Sequence, residues 1–144
     1  MIKTATIKNS EIIKDILQKL YDISSRKTTE VHAITTMDKL INSLERKYDF
    51  LKSIEIKDTR YSEMDEPISV MTDIDNVKSN DLKSAIYDII KTMNSSLGEG
   101  AGHFFIKEFR NSLNEQTYIS IEEMGIDLGL LQLEFEVEEM SRKL

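Results

Sequence analysis

Three alternate glycines lead into a histidine near residue 100 and form the strongest candidate binding site in this sequence. They are Gly98, Gly100 and Gly102, followed directly by His103. A glycine-rich turn at the start of a helix can present backbone N–H groups to a phosphate or another anion. The known nucleotide-binding patterns are missing, because no strand precedes the turn and no Gly-Lys-Ser/Thr sequence follows it. The segment is predicted either as an anion-binding turn or as a plain connection between two helices, in which glycine permits close packing.

A metal site is a second chemical possibility, since His103 has one glutamate four residues before it and another five residues after it. A bound metal ion needs three or four suitable ligands, and the chain has two histidines and no cysteine. His32, the other histidine, lies in a different predicted helix and in no phosphotransfer pattern. Asp73 and Asp75 begin like a calcium-binding loop, but the glycine and the terminal glutamate of that loop are absent. We therefore predict no metal, no cofactor and no catalytic residues.

Composition describes an acidic chain of 144 residues with a net charge of −7. Residues 1–60 hold 12 bases and 9 acids, whereas residues 61–144 hold 7 bases and 17 acids. Bases alternate with acids along the first part, so no basic stripe forms to neutralise phosphates, and nucleic acid is disfavoured as a partner. The N-terminal residues are not apolar enough to predict a secretory signal, and the sequence contains no apolar run long enough to span a membrane. Together with the absence of cysteine, this predicts a cytoplasmic protein without membrane contact.

Apolar residues within 1–52 recur at alternating spacings of three and four, which predicts two helices. The first is expected to be capped by Asn9-Ser10. The second is expected to run for about 20 residues, or about 30 Å. A short polar turn between them indicates an antiparallel helical hairpin. The second helix carries a narrow apolar seam, which either packs within the chain or pairs with a second copy: Ile34, Met37, Ile41, Leu44, Tyr48 and Leu51.

Alternating apolar and polar residues over 53–58 and 68–74 predict two strands, joined by an acidic segment that ends at Pro67. An antiparallel pair of this size is marginally stable in water by itself. The pair must therefore pack on the helices, recruit the N-terminal segment or pair with another chain.

The chain from residue 78 onward is predicted to contain two or three helices. One is expected to end at Gly98 and the next at Asn114. Ser120-Ile121-Glu122-Glu123 has the form of a capping box and predicts the start of another helix. Alternation over 130–138 leaves a strand as the alternative for that segment. The predicted fold is a predominantly helical α+β domain over residues 1–144, with the helical hairpin in 1–52, the β element in 53–77 and the helical region in 78–144.

These features favour a non-enzymatic regulatory or protein–protein interaction module. It is expected to self-associate as a homodimer, or to bind another protein that the sequence does not identify. The alternative is a small-molecule or anion sensor that uses the turn from Gly98 to His103.

Overall fold

The computed structural model describes residues 7–57, 66–102 and 105–143, and it is predominantly helical with a small antiparallel sheet, as the sequence predicts. The helices and strands of the described residues, in chain order, are α1 (Asn9–Lys27), α2 (Glu30–Leu44), a first 3₁₀ helix (Asp49–Ser53), β1 (Ile54–Ile56), β2 (Ile68–Val70), a second 3₁₀ helix (Thr72–Asn76), α3 (Ser79–Gly102), α4 (Phe105–Ser112), α5 (Glu115–Glu123) and α6 (Leu128–Lys143).

The N-terminal helical hairpin is present, but α2 is shorter than the sequence predicts. It ends at Leu44, and the backbone of Tyr48 is extended with a φ of −125°. The prediction of a single helix of about 20 residues is therefore wrong in its last part. The backbone N–H of Tyr48 donates to the carbonyl oxygen of Leu44 at 2.8 Å. The turn that this bond closes keeps the four-residue spacing without continuing the helix.

The predicted apolar seam of α2 packs into the core of this chain. Met37, Ile41 and Leu51 are at most 2% exposed, and Tyr48 belongs to the same cluster of buried side chains. Ile34 and Leu44 are half-buried. In this fold the seam joins α2 and the first 3₁₀ helix to the rest of the chain.

The core is centred on α1, which packs against α2, α3, α4, α5, β2 and the second 3₁₀ helix. Its apolar stripe is fully buried at Ile13, Ile16 and Leu20, and Phe109 of α4 is fully buried in the same cluster. Burying each large apolar side chain contributes about 1.5–3 kcal/mol relative to leaving it in water. This helix therefore holds the other elements in place.

The two strands pair antiparallel, with Ile54 opposite Val70 and Ile56 opposite Ile68. Ile54 and Ile68 are buried in the core, and the intervening Glu55 is exposed. β1 contacts α2, and β2 contacts α1. The helices thus provide the cover that the predicted strand pair requires.

Two helix boundaries after residue 78 differ from the sequence prediction. α3 continues to Gly102 instead of ending at Gly98. α5 begins at Glu115, ahead of the predicted capping box, so Ser120 lies inside a helix and does not start one. Adding a residue to an existing helix costs far less than starting a new one, which allows a buried helix to extend through unfavourable residues such as glycine.

The C-terminal segment is a helix, so the strand alternative for 130–138 is wrong. Gly125 separates this helix, α6, from α5 with a φ of +99°. Glycine adopts this conformation without the steric cost that a Cβ atom would add. The one helix predicted from Ser120 onward is therefore two helices, and the described part of the chain after residue 78 holds four helices where the sequence predicts two or three.

Candidate functional site

The predicted glycine-rich turn is not a turn where the structure describes it. The backbone from Gly98 to Gly102 is helical, and His103 lies outside the described residues. Inside a helix the backbone N–H groups bond to carbonyl oxygens of the preceding turn, so they are not presented to an anion as they are at a helix start. Anion binding by Gly98, Gly100, Gly102 and His103 stays a prediction.

The other polar residues singled out in the sequence lie in two different elements, with His32 in α2 and both Asp73 and Asp75 in the second 3₁₀ helix. His32 is exposed near the start of α2, where its backbone N–H donates to the Thr29 hydroxyl oxygen at 3.0 Å. Asp75 accepts a hydrogen bond from the backbone N–H of Ser10 at 2.7 Å. Within the described ranges, no three His, Asp or Glu side chains lie close enough to hold a metal ion.

A polar cluster joins α3 to the turn after α2. The Tyr48 hydroxyl donates to Oδ2 of Asp88 at 2.6 Å, and Nζ of Lys47 donates to the same oxygen at 3.0 Å. Burial and the bond to Asp88 raise the pKa of the Tyr48 hydroxyl, which is opposite to the shift that a nucleophile or a general base needs. The cluster therefore connects α3 to the turn after α2, and its geometry does not indicate catalysis.

The largest exposed apolar feature of the described chain lies on α6. Leu130, Leu133, Val137 and Met140 are between 54% and 66% exposed. Their spacings of three, four and three place them on one face of the helix, over about 15 Å of its length. We call these four residues the outer stripe.

The opposite face of α6 is anchored in the core. Leu128, Leu131 and Phe135 are at most 9% exposed and belong to the central cluster. α6 therefore has two apolar faces, and one of them faces solvent. Contiguous exposed apolar patches mark sites of interaction more often than isolated exposed apolar residues do.

Glutamates follow both edges of the outer stripe. Helical geometry places Glu134 and Glu138 along one edge and Glu136 along the other. Glu134 accepts a hydrogen bond from the Tyr87 hydroxyl at 3.1 Å, and Glu136 accepts one from the Gln132 amide at 2.9 Å. Among the ion pairs of the described residues, none includes these three glutamates.

A groove of about 360 Å³ lies beside the outer stripe, between α4 and α6. Its apolar walls include Ile106, Leu128 and Leu133, and Lys107 and Arg110 of α4 lie along its far side. The Arg110 guanidinium also stacks over the Tyr118 ring, 5.6 Å from its centre. Leu133 belongs to both features, so the stripe and the groove form one continuous surface.

Comparison with protein-family models, with curated proteins and with solved structures found no match. Among the helices of the described residues, none is both long enough and apolar enough to cross a membrane.

The outer stripe has a signal in the sequence, which is the alternation that left a strand as the alternative to a helix over 130–138. Leu131, Leu133, Phe135 and Val137 alternate with polar residues, which suggested a strand over 130–138. A helix that is apolar on two opposite faces produces the same alternation, because residues two apart are about 200° apart around its axis. If the alternation over 130–138 is interpreted as a helix with two apolar faces, the residues of the outer stripe can be identified from the sequence.

Proposed function

We propose that this chain is a protein–protein interaction module that binds a helical segment of another protein along the outer stripe. The observation that carries the proposal is the exposure of Leu130, Leu133, Val137 and Met140, each more than half exposed on one face of α6. Covering apolar surface on binding contributes about 25 cal/mol per Å² before the costs of association are subtracted.

The spacing of the stripe supports a helical partner. Helix recognition commonly uses apolar anchors at intervals of three and four residues, which a second helix can match along its length. The groove beside Leu133 offers space for an apolar side chain of that partner. Because Leu131 and Phe135 fix the inner face of α6, binding requires little ordering of the surface itself.

A second copy of this chain fits the stripe less well than a different protein. Two α6 helices that pair antiparallel about a two-fold axis bring the same edge of each together. The edge that carries Glu134 and Glu138 would then lie against the same acidic edge of the other copy, and like charges at such positions destabilise the pair. Self-association by another surface stays a prediction, and the mass of the chain in solution tests it.

The direct test is binding of a labelled amphipathic peptide of about the length of α6. Its apolar residues follow the spacing of the outer stripe, and its remaining residues are alanine and glutamine. We expect saturable binding by fluorescence anisotropy. The double variant Leu133→Asp/Val137→Asp should bind at least about tenfold more weakly, which corresponds to about 1.4 kcal/mol.

A matched control removes exposed apolar side chains elsewhere. Val31 and Met71 are 45% and 62% exposed and lie outside α6. The variant Val31→Asp/Met71→Asp adds the same charge and should bind as the unmodified chain does. Both double variants should unfold near the unmodified midpoint. Equal binding by the stripe variant and the control variant would overturn the proposal.

A further inference from the structure

We infer that the partner is a basic amphipathic helix, with Lys or Arg along the edge that lies over Glu134 and Glu138. This inference rests on the proposed function, since it names the chemistry of the partner that the outer stripe binds.

The edge at Glu134 and Glu138 carries negative charge that the fold leaves available. Both side chains are exposed, and neither takes part in an ion pair within the described residues. The Tyr87 hydroxyl donates to Glu134 at 3.1 Å, and burial, this bond and the charges of Glu134, Glu138 and Asp88 raise the pKa of that hydroxyl. A cation placed over this edge gains an attraction to two carboxylates that no ion pair of the described residues already neutralises.

The other edge of the stripe sets no comparable preference. Glu136 lies there, but Lys107 and Arg110 line the same groove from α4. Charges of both signs therefore face the partner on that side. The preference for bases comes from the Glu134 and Glu138 edge, so the partner needs basic residues along one flank.

The net negative charge of the whole chain also favours a basic partner. The net charge is −7, and residues 61–144 hold 17 acids against 7 bases. A field of this sign accelerates the encounter with a basic segment, and added salt weakens it. A basic partner is therefore favoured both at contact and during approach.

Three peptides with the same apolar spacing test the inference, with lysine, glutamine or glutamate along one flank. We expect the lysine peptide to bind about tenfold more tightly than the glutamine peptide and the glutamate peptide to bind most weakly. The difference should narrow as salt is raised, because surface charges are screened within about 8–10 Å at 0.1–0.15 M salt.

A charge reversal on the protein makes the test specific to this edge. In Glu134→Lys/Glu138→Lys the preference should reverse, so that the glutamate peptide binds best. The control Asp38→Lys/Asp73→Lys changes two exposed acids outside α6 and shifts the net charge equally. This control variant should still bind the lysine peptide most tightly and the glutamate peptide most weakly. Glu138→Lys alone leaves the bond between Tyr87 and Glu134 intact. It should weaken the preference for the lysine peptide over the glutamate peptide by less than the double variant does.

The outcomes separate this inference from the proposed function. If the three peptides bind the unmodified chain equally well, the stripe binds helices but the basic partner is wrong. If none binds, both are wrong. An equal reversal in the control variant would assign the preference to net charge and would also overturn the assignment to this edge.

Discussion

The carboxylate of Asp75 caps the first turn of α1 from the second 3₁₀ helix. Its Oδ1 accepts a hydrogen bond from the backbone N–H of Ser10 at 2.7 Å. The Asn9 side chain, which the sequence predicts as a cap for this helix, donates instead to the carbonyl oxygens of Ile74 and Val77 at 3.1 and 2.9 Å. The start of α1 and the segment after β2 are thereby fixed to each other.

Loss of the Asp75 carboxylate should destabilise the fold in a pH-dependent way. The bond from Ser10 lowers the pKa of Asp75, so its contribution is present above the ordinary carboxyl pKa and is lost as the pH falls through the lowered value. Asp75→Ala should lower the urea midpoint at pH 7 and differ less from the unmodified chain at about pH 3. Asp73→Ala, an exposed neighbour, is the control. If the urea midpoints of Asp75→Ala and the unmodified chain differ equally at pH 7 and in acid, the Asp75 carboxylate does not stabilise the fold in this way.

A second carboxylate supports the start of α5 in the same way. Oδ2 of Asp15 accepts a hydrogen bond from the backbone N–H of Asn114 at 3.1 Å, and its Oδ1 lies 2.9 Å from Nζ of Lys19. We expect Asp15→Ala to lower the free energy of unfolding by about 1–2 kcal/mol, because the Asn114 donor loses its acceptor. Lys19→Ala keeps the Asn114 bond but leaves the buried Asp15 carboxylate, which is 9% exposed, without its cation, so it should also cost about 1–3 kcal/mol. Denaturant titration of both variants measures the difference.

The contribution of the hydrogen bond between Tyr48 and Asp88 to stability should decrease at alkaline pH. Tyr48→Phe should cost about 1 kcal/mol at pH 7, since the hydroxyl bond at 2.6 Å is lost. Burial and Asp88 raise the pKa of Tyr48, so its contribution is complete below the unfolded tyrosine pKa of about 10 and is lost as the pH rises through the raised value. Tyr118→Phe keeps the ring that Arg110 contacts and serves as the control. The Tyr48→Phe deficit should shrink at alkaline pH, and a constant deficit would be evidence against the assignment.

The connection between α5 and α6 should not tolerate a side chain. Gly125→Ala forces an L-residue to a φ of +99°, and we expect a loss of about 1–2 kcal/mol in thermal or urea unfolding. The added Cβ would also lie 2.8 Å from Nζ of Lys83. Lys83→Ala/Gly125→Ala separates the two causes. Backbone strain predicts that the double variant recovers little, whereas full recovery would assign the cost to the lysine.

The local elements of this fold followed from sequence patterns, whereas the bonds between distant elements did not. Alternation located the strand pair, and three-four spacing located the helical hairpin. The same spacing could not show that α2 ends at Leu44, because Tyr48 and Leu51 reach the core through a turn. The caps from Asp15 and Asp75 depend on contacts between residues far apart in the chain, which no local pattern contains.

The candidate site was harder to predict than the fold. Glycine spacing predicts a binding turn at Gly98–His103, but α3 continues as a helix through Gly102. The outer stripe was hidden because its residues alternate with acids and with the buried face of the same helix. Solvent exposure of Leu133 and Val137 became visible once the fold showed which face of α6 meets the core.

The distant caps also affect how this chain emerges from the ribosome. Asn114 lies 99 residues after Asp15, and Asp75 lies 65 residues after Ser10. At about 5–20 residues per second, α1 waits roughly 5 to 20 seconds for the last of these partners. Throughout that interval the part of α1 that packs against α4 and α5 in the folded chain has only the earlier elements to contact, so the nascent N-terminal hairpin exposes apolar surface until those helices are made.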